Sequence, residues 1–423
     1  MRGPPAIEVC ADWRGLGGPQ LMGRLYATPS RGKEIFSFEY AAEWLAGPHR
    51  AQLDPTLGLY PGPQYPLPEK VNFGIFLDSS PDRWGRVLMK RREAQLARKE
   101  GREARRLVES DYLLGVHDGH RMGALRFRVD GIFRDDNDDL SAPPWTSLRT
   151  LEHASLQLEG DDAENEPEYD RWLRMLIAPG GSLGGARPKA SVLDEHAHLW
   201  IAKFPSQRDE EDVGAWESVA HELAQNAGID VPTATLKQFG SDQHTFLSRR
   251  FDRTPSGERV HFASALTLLE RTDGEDAADG ASYLEMADML IRLGASTPVD
   301  LEQLWRRILF SVCISNTDDH LRNHGFLSTA RGWRLAPAYD MNPNPDGEGL
   351  KLNISESDNA QDWGLVMEVA PYFRVKATRA TEIGREVAHA VSGWRDVAQT
   401  RGLPAASLDR MKRAFRLTER RMY

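Results

Sequence analysis

The sequence predicts an α+β fold in which a β-rich N-terminal part precedes a mixed middle part and a helical C-terminal part. Phe36, Phe38 and Tyr40 alternate with polar residues, a pattern that is typical of a strand with one buried face. A Gly-rich turn, a strand, a helix and a second strand follow one another between residues 180 and 253. Beyond residue 300, apolar residues recur with the spacing of a buried helix. These three patterns together indicate the α+β class.

The composition excludes several classes of protein. The chain has 423 residues, and its hydrophobic share of 40% is normal for a soluble globular protein of two or three domains. The 63 Asp and Glu residues outnumber the 53 Lys and Arg residues, which argues against a protein that coats nucleic acid or anionic lipid through bulk charge. The two cysteines, Cys10 and Cys313, are too few for a disulfide framework. So few cysteines favour a reducing cytoplasm, and because we identify neither a signal peptide nor a membrane span, we expect no membrane partner.

Three features of the N-terminal part resemble binding sites. Residues 82–106 predict a basic helix, with ten Arg and Lys against three Glu; we interpret it as a solvated helix face rather than a DNA contact. Residues 134–139 resemble half a calcium loop, but the positions of its turn glycine and bidentate glutamate carry other residues, so we reject this site. His117 and His120 could form a metal-binding pair, but we interpret the segment that contains them as a turn.

The strongest chemical signal follows the predicted buried helix, which covers residues 301–313. Where this helix ends, Asp318 and Asn323 have the D-x-x-x-x-N spacing of a kinase catalytic loop. In such a loop a carboxylate orients the attacking hydroxyl and accepts its proton, while an amide oxygen binds Mg²⁺. The alternative interpretation is that Asp and Asn occur here because both residues favour helix ends and turns.

The segment after this loop favours the kinase interpretation. Residues 325–335 predict a short hairpin, and Tyr339 and Asp340 follow it. Kinases use the same order of loop, hairpin and acidic residue to provide a second Mg²⁺ ligand. Two oxygen ligands suit Mg²⁺ because this ion keeps several waters and takes further ligands from phosphates.

A kinase also requires groups that bind the nucleotide phosphates. Lys203 lies on a predicted strand and suits this role because its ammonium group is a compact charge on a long stem. Glu217, on the helix that follows, is a candidate ion-pair partner that would orient it. The turn at 180–189 is rich in glycine, so its N–H groups can converge on an anion, and Lys189 adds charge. The alternative interpretations are that Lys203 is an ordinary lysine at a strand end, that Glu217 is a solvated helix residue and that the glycine-rich segment is a surface turn.

In combination these motifs resemble the HipA family of serine/threonine kinase toxins from bacterial type II toxin–antitoxin modules. The resemblance covers nearly the whole chain. It is carried by Ser182–Lys189, which resembles the family's S-x-x-G-A-x-x-K loop, Leu199–Lys203 (lysine strand), Arg250–Arg253 (R-F-D-R hinge), Thr317–Asn323 (T-D-x-H-x-x-N catalytic loop), Tyr339-Asp340 (metal-binding Y-D), Phe76–Asp82 and Asp111–Gly115.

The resemblance implies a bilobal protein-kinase-like core of the phosphoinositide-kinase-like type. We expect a β-rich subdomain with helices over 1–150, a nucleotide-binding lobe with the Gly-rich loop over 151–262, and an all-helical catalytic lobe over 263–423. It further implies ATP and Mg²⁺ as cofactors and a protein substrate, for which the family suggests an aminoacyl-tRNA synthetase, so that translation stops. The expected partner is a HipB-like helix-turn-helix antitoxin, through which the protein mainly contacts DNA.

The resemblance also implies roles for individual residues. Asp318 is the expected catalytic base, Asn323 and Asp340 are the expected metal ligands, and Ser182 is the expected site of inactivating autophosphorylation. The expected ATP-binding residues are Gly184, Gly185, Ala186, Arg187, Lys189, Lys203, Arg249, Phe251, His320, Asn323, Tyr339 and Asp340.

Two departures from the family pattern leave the catalytic groups intact. Asp319 stands where the family often has Gly and is expected to add negative charge beside the metal site. Arg249 stands where the family can carry Glu and is expected to alter the adenine contacts. Two other classes of function remain open at this point. One is a catalytically idle co-repressor that acts with a DNA-binding antitoxin, and the other is a small-molecule phosphotransferase.

Overall fold

The fold is taken from a computed structural model, which describes residues 6–134, 142–160, 163–177 and 187–419. The chain forms two compact units. Unit 1 consists of Met1–Gln207 and Arg249–Ala263, and unit 2 consists of Arg208–Ser248 and Ser264–Tyr423. The α+β class is confirmed, because both antiparallel sheets and helices are present. The functional division into three parts stays a prediction.

Unit 1 begins with an antiparallel sheet in the strand order β3-β2-β1-β4-β5. Its strands are β1 (Ala6–Ala11), β2 (Gln20–Ser30), β3 (Lys33–Tyr40), β4 (Leu125–Val129) and β5 (Ile132–Phe133). Phe36, Phe38 and Tyr40 are buried on one face of β3, which confirms the strand predicted from their alternation. The ring of Phe38 packs against those of Phe73 and Phe76, so the core of this unit lies on that face of the sheet.

The helices of unit 1 are α1 (Ala42–Ala46), α2 (Gly74–Asp78), α3 (Arg83–Glu100), α4 (Glu109–Leu114), α5 (Leu148–Leu158) and α6 (Tyr169–Ile177). Helix α3 is the predicted basic helix. It ends at Glu100 rather than Arg106, because Gly101 adopts a left-handed conformation (φ 65°) and caps it. Arg86 pairs with Glu109 and Arg98 with Glu164, so part of its basic face is neutralised within unit 1. This pairing favours the solvated-face interpretation.

A hairpin of β6 (Lys189–Leu193) and β7 (Leu199–Lys203) follows in unit 1 and confirms the predicted strand that carries Lys203. The strands are antiparallel, and Lys189 lies directly opposite Lys203. Since directly opposite residues share a face of a sheet, the two lysines lie side by side at one end of the hairpin.

Unit 2 contains most of the helices. Its elements, with β9 and β10 at the boundaries of the units, are α7 (Val213–Asn226), β8 (Ala234–Gln238), β9 (His244–Arg249), β10 (Phe262–Ser264), α8 (Ala265–Leu268), α9 (Tyr283–Leu293), α10 (Thr297–Cys313), β11 (Gly325–Thr329), β12 (Gly332–Leu335), α11 (Trp363–Val369), α12 (Ala377–Ser392), α13 (Trp394–Thr400), α14 (Ala405–Met411) and α15 (Arg416–Glu419). The region after residue 263 is therefore not all-helical, because β11 and β12 form the predicted hairpin. No helix in the described ranges combines the length and apolar character that crossing a membrane requires.

Helix α10 is the central element of unit 2 and confirms the predicted buried helix. Leu301, Leu304, Trp305 and Ile308 are fully buried along it. The helix packs against α9, α11 and α12, and the indole nitrogen of Trp305 donates to the carbonyl oxygen of Val366 at 2.9 Å. A helix surrounded on several sides has little freedom to shift, so its C-terminal end is a fixed starting point for the loop that follows.

The R-F-D-R segment of unit 1 forms a buried charge cluster. The Asp252 carboxylate accepts hydrogen bonds from Arg250 and Arg253, at 2.6 Å to one oxygen atom, and from the backbone N–H of Gly123 at 2.8 Å. The guanidinium groups also donate to the carbonyl oxygens of His120 and Arg121. The segment therefore fixes residues 120–123 through contacts that the local sequence does not reveal.

Asp252→Asn is expected to lower the free energy of unfolding by about 3–5 kcal/mol, because it leaves buried guanidinium groups without their counter-charge. Burial raises the pKa of Asp252, but the charges of Arg250 and Arg253 outweigh it and hold the pKa well below its ordinary value. The stabilisation is thus present above about pH 4, the ordinary Asp pKa, and is lost as the pH falls toward the lower folded-state pKa.

Urea unfolding of wild type and variant at pH 7 and at acid pH measures this effect. The control is Asp288→Asn, which breaks an exposed pair with Arg292 and is expected to cost less than about 1 kcal/mol. Equal losses in the two variants would contradict the assignment of Asp252 as the anchor of the cluster.

Candidate functional site

A buried turn ends helix α10 and begins the predicted catalytic loop. Ser315 has a positive φ of 51°, so the chain leaves the helical path there. The N–H of Asn316 donates to the carbonyl oxygen of Ser311 at 2.8 Å, and the Ser315 hydroxyl donates to the carbonyl oxygen of Ala414 at 2.8 Å. Residues 314–317 are all buried. The loop therefore starts from backbone that is hydrogen-bonded on both sides.

The loop itself is closed by hydrogen bonds between its two ends. The backbone N–H of His320 donates to the carbonyl oxygen of Asp318 at 3.0 Å, and that of Asn323 donates to the carbonyl oxygen of His320 at 2.8 Å. The side-chain amide nitrogen of Asn323 donates to the carbonyl oxygen of Asp318 at 3.1 Å. Asp318 is exposed, whereas Asn323 is buried and His320 is half-buried. The predicted base thus faces solvent while the predicted ligand is held beneath it.

Tyr339 and Asp340 are attached to this loop. The hydroxyl of Tyr339 donates to the carbonyl oxygen of Arg322 at 2.8 Å, across the hairpin of β11 and β12. Asp340 has a positive φ of 60°, a conformation that Asp tolerates better than most residues because of its short polar side chain. Hydrogen bonds of unit 2 therefore connect Asp318 with Asn323 and Tyr339 with Arg322, and Asp340 directly follows Tyr339 in the chain.

The segment after Asp340 packs on the first half of the loop. The amide nitrogen of Asn344 donates to the hydroxyl of Thr317 at 2.9 Å, and the backbone N–H of Asn342 donates to the side-chain oxygen of Asn316 at 3.2 Å. A Cβ atom on Gly347 would lie only 2.0 Å from the hydroxyl oxygen of Thr317, so this position requires glycine. The predicted metal ligand is consequently fixed from both sides.

Sequence reasoning missed the environment of Asp319. Its side chain is buried and accepts a hydrogen bond from the Tyr283 hydroxyl at 2.6 Å, while Nε2 of His324 lies 3.0 Å from its other oxygen atom. Burial raises the pKa of Asp319, but His324 and Tyr283 outweigh it and lower the pKa below its ordinary value. Burial and the Asp319 carboxylate raise the pKa of Tyr283. Tyr283 is 36 residues away, so no local pattern signals this contact.

The predicted ligands, Asn323 and Asp340, suit Mg²⁺ better than a metal ion that is held entirely by protein side chains. Within residues 6–134, 142–160, 163–177 and 187–419, no group of three or more His, Cys, Asp or Glu side chains is arranged to hold a metal ion. Mg²⁺ needs no such cage, since it is commonly held by one or two carboxylates together with phosphates and water. The amide nitrogen of Asn323 donates to the carbonyl oxygen of Asp318, so the amide oxygen is the atom of this side chain that can serve as a ligand.

The predicted phosphate-binding residues belong to unit 1. Lys189 is buried, and its ammonium group lies 3.1 Å from the Asp82 carboxylate that caps helix α3. Lys203 is half-buried opposite it on β7. In unit 2, Glu217 is buried on α7, and its pairing with Lys203 stays a prediction. Arg187 is half-buried, whereas Ser182, Gly184, Gly185 and Ala186 lie outside the described residues.

The hinge residues expected to contact adenine differ in environment. Arg249 and Phe251 are half-buried, and the ring of Phe251 lies 6.2 Å from that of Phe262. The intervening Arg250 is buried and belongs to the Asp252 cluster. Burial thus alternates along the segment, so that the buried Arg250 has a structural role while its two half-buried neighbours are the predicted nucleotide contacts.

The α+β architecture and the catalytic-type loop at the end of a buried helix define a chain with a kinase-like fold. The chain belongs to the HipA family, since the family model of the HipA-like C-terminal domain matches residues 181–394, half of the chain. The predicted family is thereby confirmed.

Relatives of known sequence are similar over part of this chain. A predicted kinase of Haemophilus influenzae is 25% identical over 188 residues, which are 40% of this chain and 54% of that protein. The predicted kinase Y4dM of Sinorhizobium fredii is 31% identical over 157 residues, which are 34% of this chain and 36% of that protein. The chain therefore spans about half, or less, of the length of these relatives.

A solved structure is similar over nearly the whole chain. It is the complex of HipA, HipB and operator DNA from a toxin–antitoxin system of Shewanella oneidensis MR-1. The TM-score is 0.68 at 16% identity, and the match covers 98% of this chain and 97% of that one. At this identity the likeness shows the fold, and it agrees with the kinase-like architecture predicted from the sequence.

Proposed function

We propose that the protein is an ATP- and Mg²⁺-dependent kinase that phosphorylates serine or threonine hydroxyls of a protein. The observation that carries the proposal is the hydrogen-bonded region of unit 2. There the side chain of Asn323 donates to the Asp318 carbonyl oxygen and the Tyr339 hydroxyl donates to the Arg322 carbonyl oxygen. Asp340 directly follows Tyr339 in the chain, so this arrangement supports an exposed carboxylate, an amide oxygen and a second carboxylate as the set of groups that phosphoryl transfer requires.

Asp318 is the proposed base and positioner. Its exposure lets an acceptor hydroxyl approach, and its fixed backbone limits the positions that its carboxylate can occupy. The acceptor oxygen forms a bond to the γ-phosphorus, the bond from that phosphorus to the oxygen of ADP breaks, and the hydroxyl proton passes to Asp318. Positioning supplies much of the rate because the protein forms no covalent bond of its own.

Asn323 and Asp340 are the proposed ligands of Mg²⁺, which would neutralise charge on the ATP phosphates when bound. Lys203 is the proposed phosphate contact in unit 1, and Arg249 and Phe251 the proposed adenine contacts. Lys189 already has a carboxylate partner in Asp82, so we propose that it supports the start of β6 as well as adding positive charge near the Gly-rich loop.

We further propose that the protein acts as the toxin of a toxin–antitoxin module. The similar structure from Shewanella oneidensis contains HipB and operator DNA, which supports a HipB-like antitoxin as partner and DNA binding mainly through that antitoxin. Family membership supports an aminoacyl-tRNA synthetase as the phosphorylated protein, with arrest of translation as the consequence.

Asp318→Asn is expected to keep the fold and ATP binding and to lower phosphoryl transfer at least ~100-fold, because it removes the proton acceptor. The assay incubates purified protein with labelled ATP and a cell lysate and follows the label. Label in a protein band supports a protein kinase, and label in a small solute supports a small-molecule phosphotransferase. Absence of transfer by wild type would support the idle co-repressor.

The matched control is Asp288→Asn, an exposed carboxylate on α9 that should leave the rate unchanged. Wild-type activity in Asp318→Asn would exclude this residue as the base.

Asp340→Asn is expected to reduce the Mg²⁺-dependent tightening of ATP binding at least ~10-fold, because it replaces the charged oxygen ligand. Asn is chosen because it tolerates the positive φ at this position, which Ala does not. Calorimetric titration of ATP with and without Mg²⁺ measures the effect, again with Asp288→Asn as control. An unchanged Mg²⁺ dependence would show that Asp340 is not a ligand.

Autophosphorylation at Ser182 is a further part of the proposal and rests on the sequence. A phosphoserine on the Gly-rich loop adds about −1.5 to −2 charges where ATP phosphates would bind, so it would repel the nucleotide. We expect mass spectrometry to find phosphate at Ser182 in wild type and none in Asp318→Asn. An unmodified Ser182 in a preparation with measured activity would contradict this switch.

A further inference from the structure

The carboxylate of Asp319 joins three elements beneath the predicted catalytic loop. It accepts the hydrogen bond of Tyr283 from α9 at 2.6 Å and lies 3.4 Å from the hydroxyl of Ser311 on α10. Its second oxygen atom lies 3.0 Å from Nε2 of His324, the residue before β11. Asp319, Tyr283 and His324 are each at least 95% buried.

The positions of Asp319 and His324 in the chain give their contact a specific consequence. Asp319 directly follows Asp318, and His324 directly follows Asn323. A contact between Asp319 and His324 therefore limits the distance between the residues that precede them, which are the predicted base and the predicted metal ligand. The Asn323 side chain makes a parallel connection to the Asp318 carbonyl oxygen at 3.1 Å. Two contacts therefore connect the beginning and the end of the loop.

A purely stabilising role does not account well for this arrangement. Removing a carboxylate from water is costly, and apolar residues of similar volume often stabilise a core as well as a buried ion pair does. What a carboxylate adds is direction, since one oxygen atom accepts from the donors on α9 and α10 while the other faces His324. The contribution expected from Asp319 is therefore geometric.

We propose that Asp319 is a positioning residue for phosphoryl transfer and that, with Tyr283 and His324, it sets the spacing between Asp318 and Asn323. This inference rests on the proposed kinase function. Asp319 itself does not touch the reacting atoms. It acts through the two residues on either side of the loop, and the charge that the sequence suggests beside the metal site is directed into the interior of unit 2.

The same loop provides a matched control. Arg322 pairs with Asp273 at 2.7 Å on the exposed side, where the two side chains are 34% and 48% exposed. Asp273→Asn therefore removes one carboxylate partner of the loop without altering its buried base. Exposed pairs contribute little, so this variant should behave as wild type.

The test compares Asp319→Asn, Asp319→Ala and His324→Gln with Asp273→Asn, at a temperature at which unfolding measurements show each protein folded. We expect Asp319→Ala to lower kcat at least ~10-fold while KM for ATP changes less than about threefold. Asp319→Asn should recover part of the loss, because its amide oxygen can still accept from Tyr283. Asp319→Ala combined with His324→Gln should be about as slow as Asp319→Ala alone, since the two residues act as one unit.

A second measurement does not depend on activity. Hydrogen exchange at the amides of His320 and Asn323, which close the loop, should be at least about tenfold faster in Asp319→Ala and unchanged in Asp273→Asn. Unchanged exchange in folded Asp319→Ala would overturn the proposal, as would a kcat within twofold of wild type. If wild type transfers no phosphate, the kinase function fails, and the exchange result alone then decides whether Asp319 positions the loop.

Discussion

The buried turn at residues 314–317 is the constraint on which the candidate site depends. Helix α10 is packed on several sides, so its end has little freedom to shift, and the positive φ of Ser315 turns the chain out of the helix at that point. Both the loop and the segment after Asp340 hydrogen-bond to this turn, since the backbone N–H of Asn344 donates to the carbonyl oxygen of Ser315 at 3.1 Å. Two stretches that are distant in sequence are therefore located by one piece of fixed backbone.

Unit 1 uses a different constraint. There the Asp252 carboxylate accepts hydrogen bonds from the guanidinium groups of its own segment and from the N–H of Gly123, which lies 129 residues earlier in the chain. A buried carboxylate with incomplete partners would cost several kcal/mol, so the cluster tolerates little displacement of either segment. The half-buried neighbours Arg249 and Phe251 are thereby attached to a rigid base, which is what a binding residue requires.

Features that depend on neighbouring residues were predictable from the sequence, whereas contacts between distant residues were not. The stripe of α10 and the hairpin of β11 and β12 were predictable because burial along a helix and turn chemistry are encoded in neighbouring residues. The family could be predicted from motifs, although the environment of each motif residue could not. The partner of Lys189, for example, is Asp82, which lies 107 residues away and also caps a helix. Long-range partners of this kind depend on the packed structure and leave no periodic signal.

Asp318 and Asp319 show why residue type alone does not assign a role. The two carboxylates are adjacent in sequence, yet one is exposed and the other is 5% exposed. The buried carboxylate accepts a hydrogen bond from Tyr283 and faces His324 in the interior of unit 2. The exposed one keeps its full interaction with solvent and with any incoming hydroxyl. The difference in environment therefore supports different proposed roles, with Asp318 as the base and Asp319 as the residue that positions it.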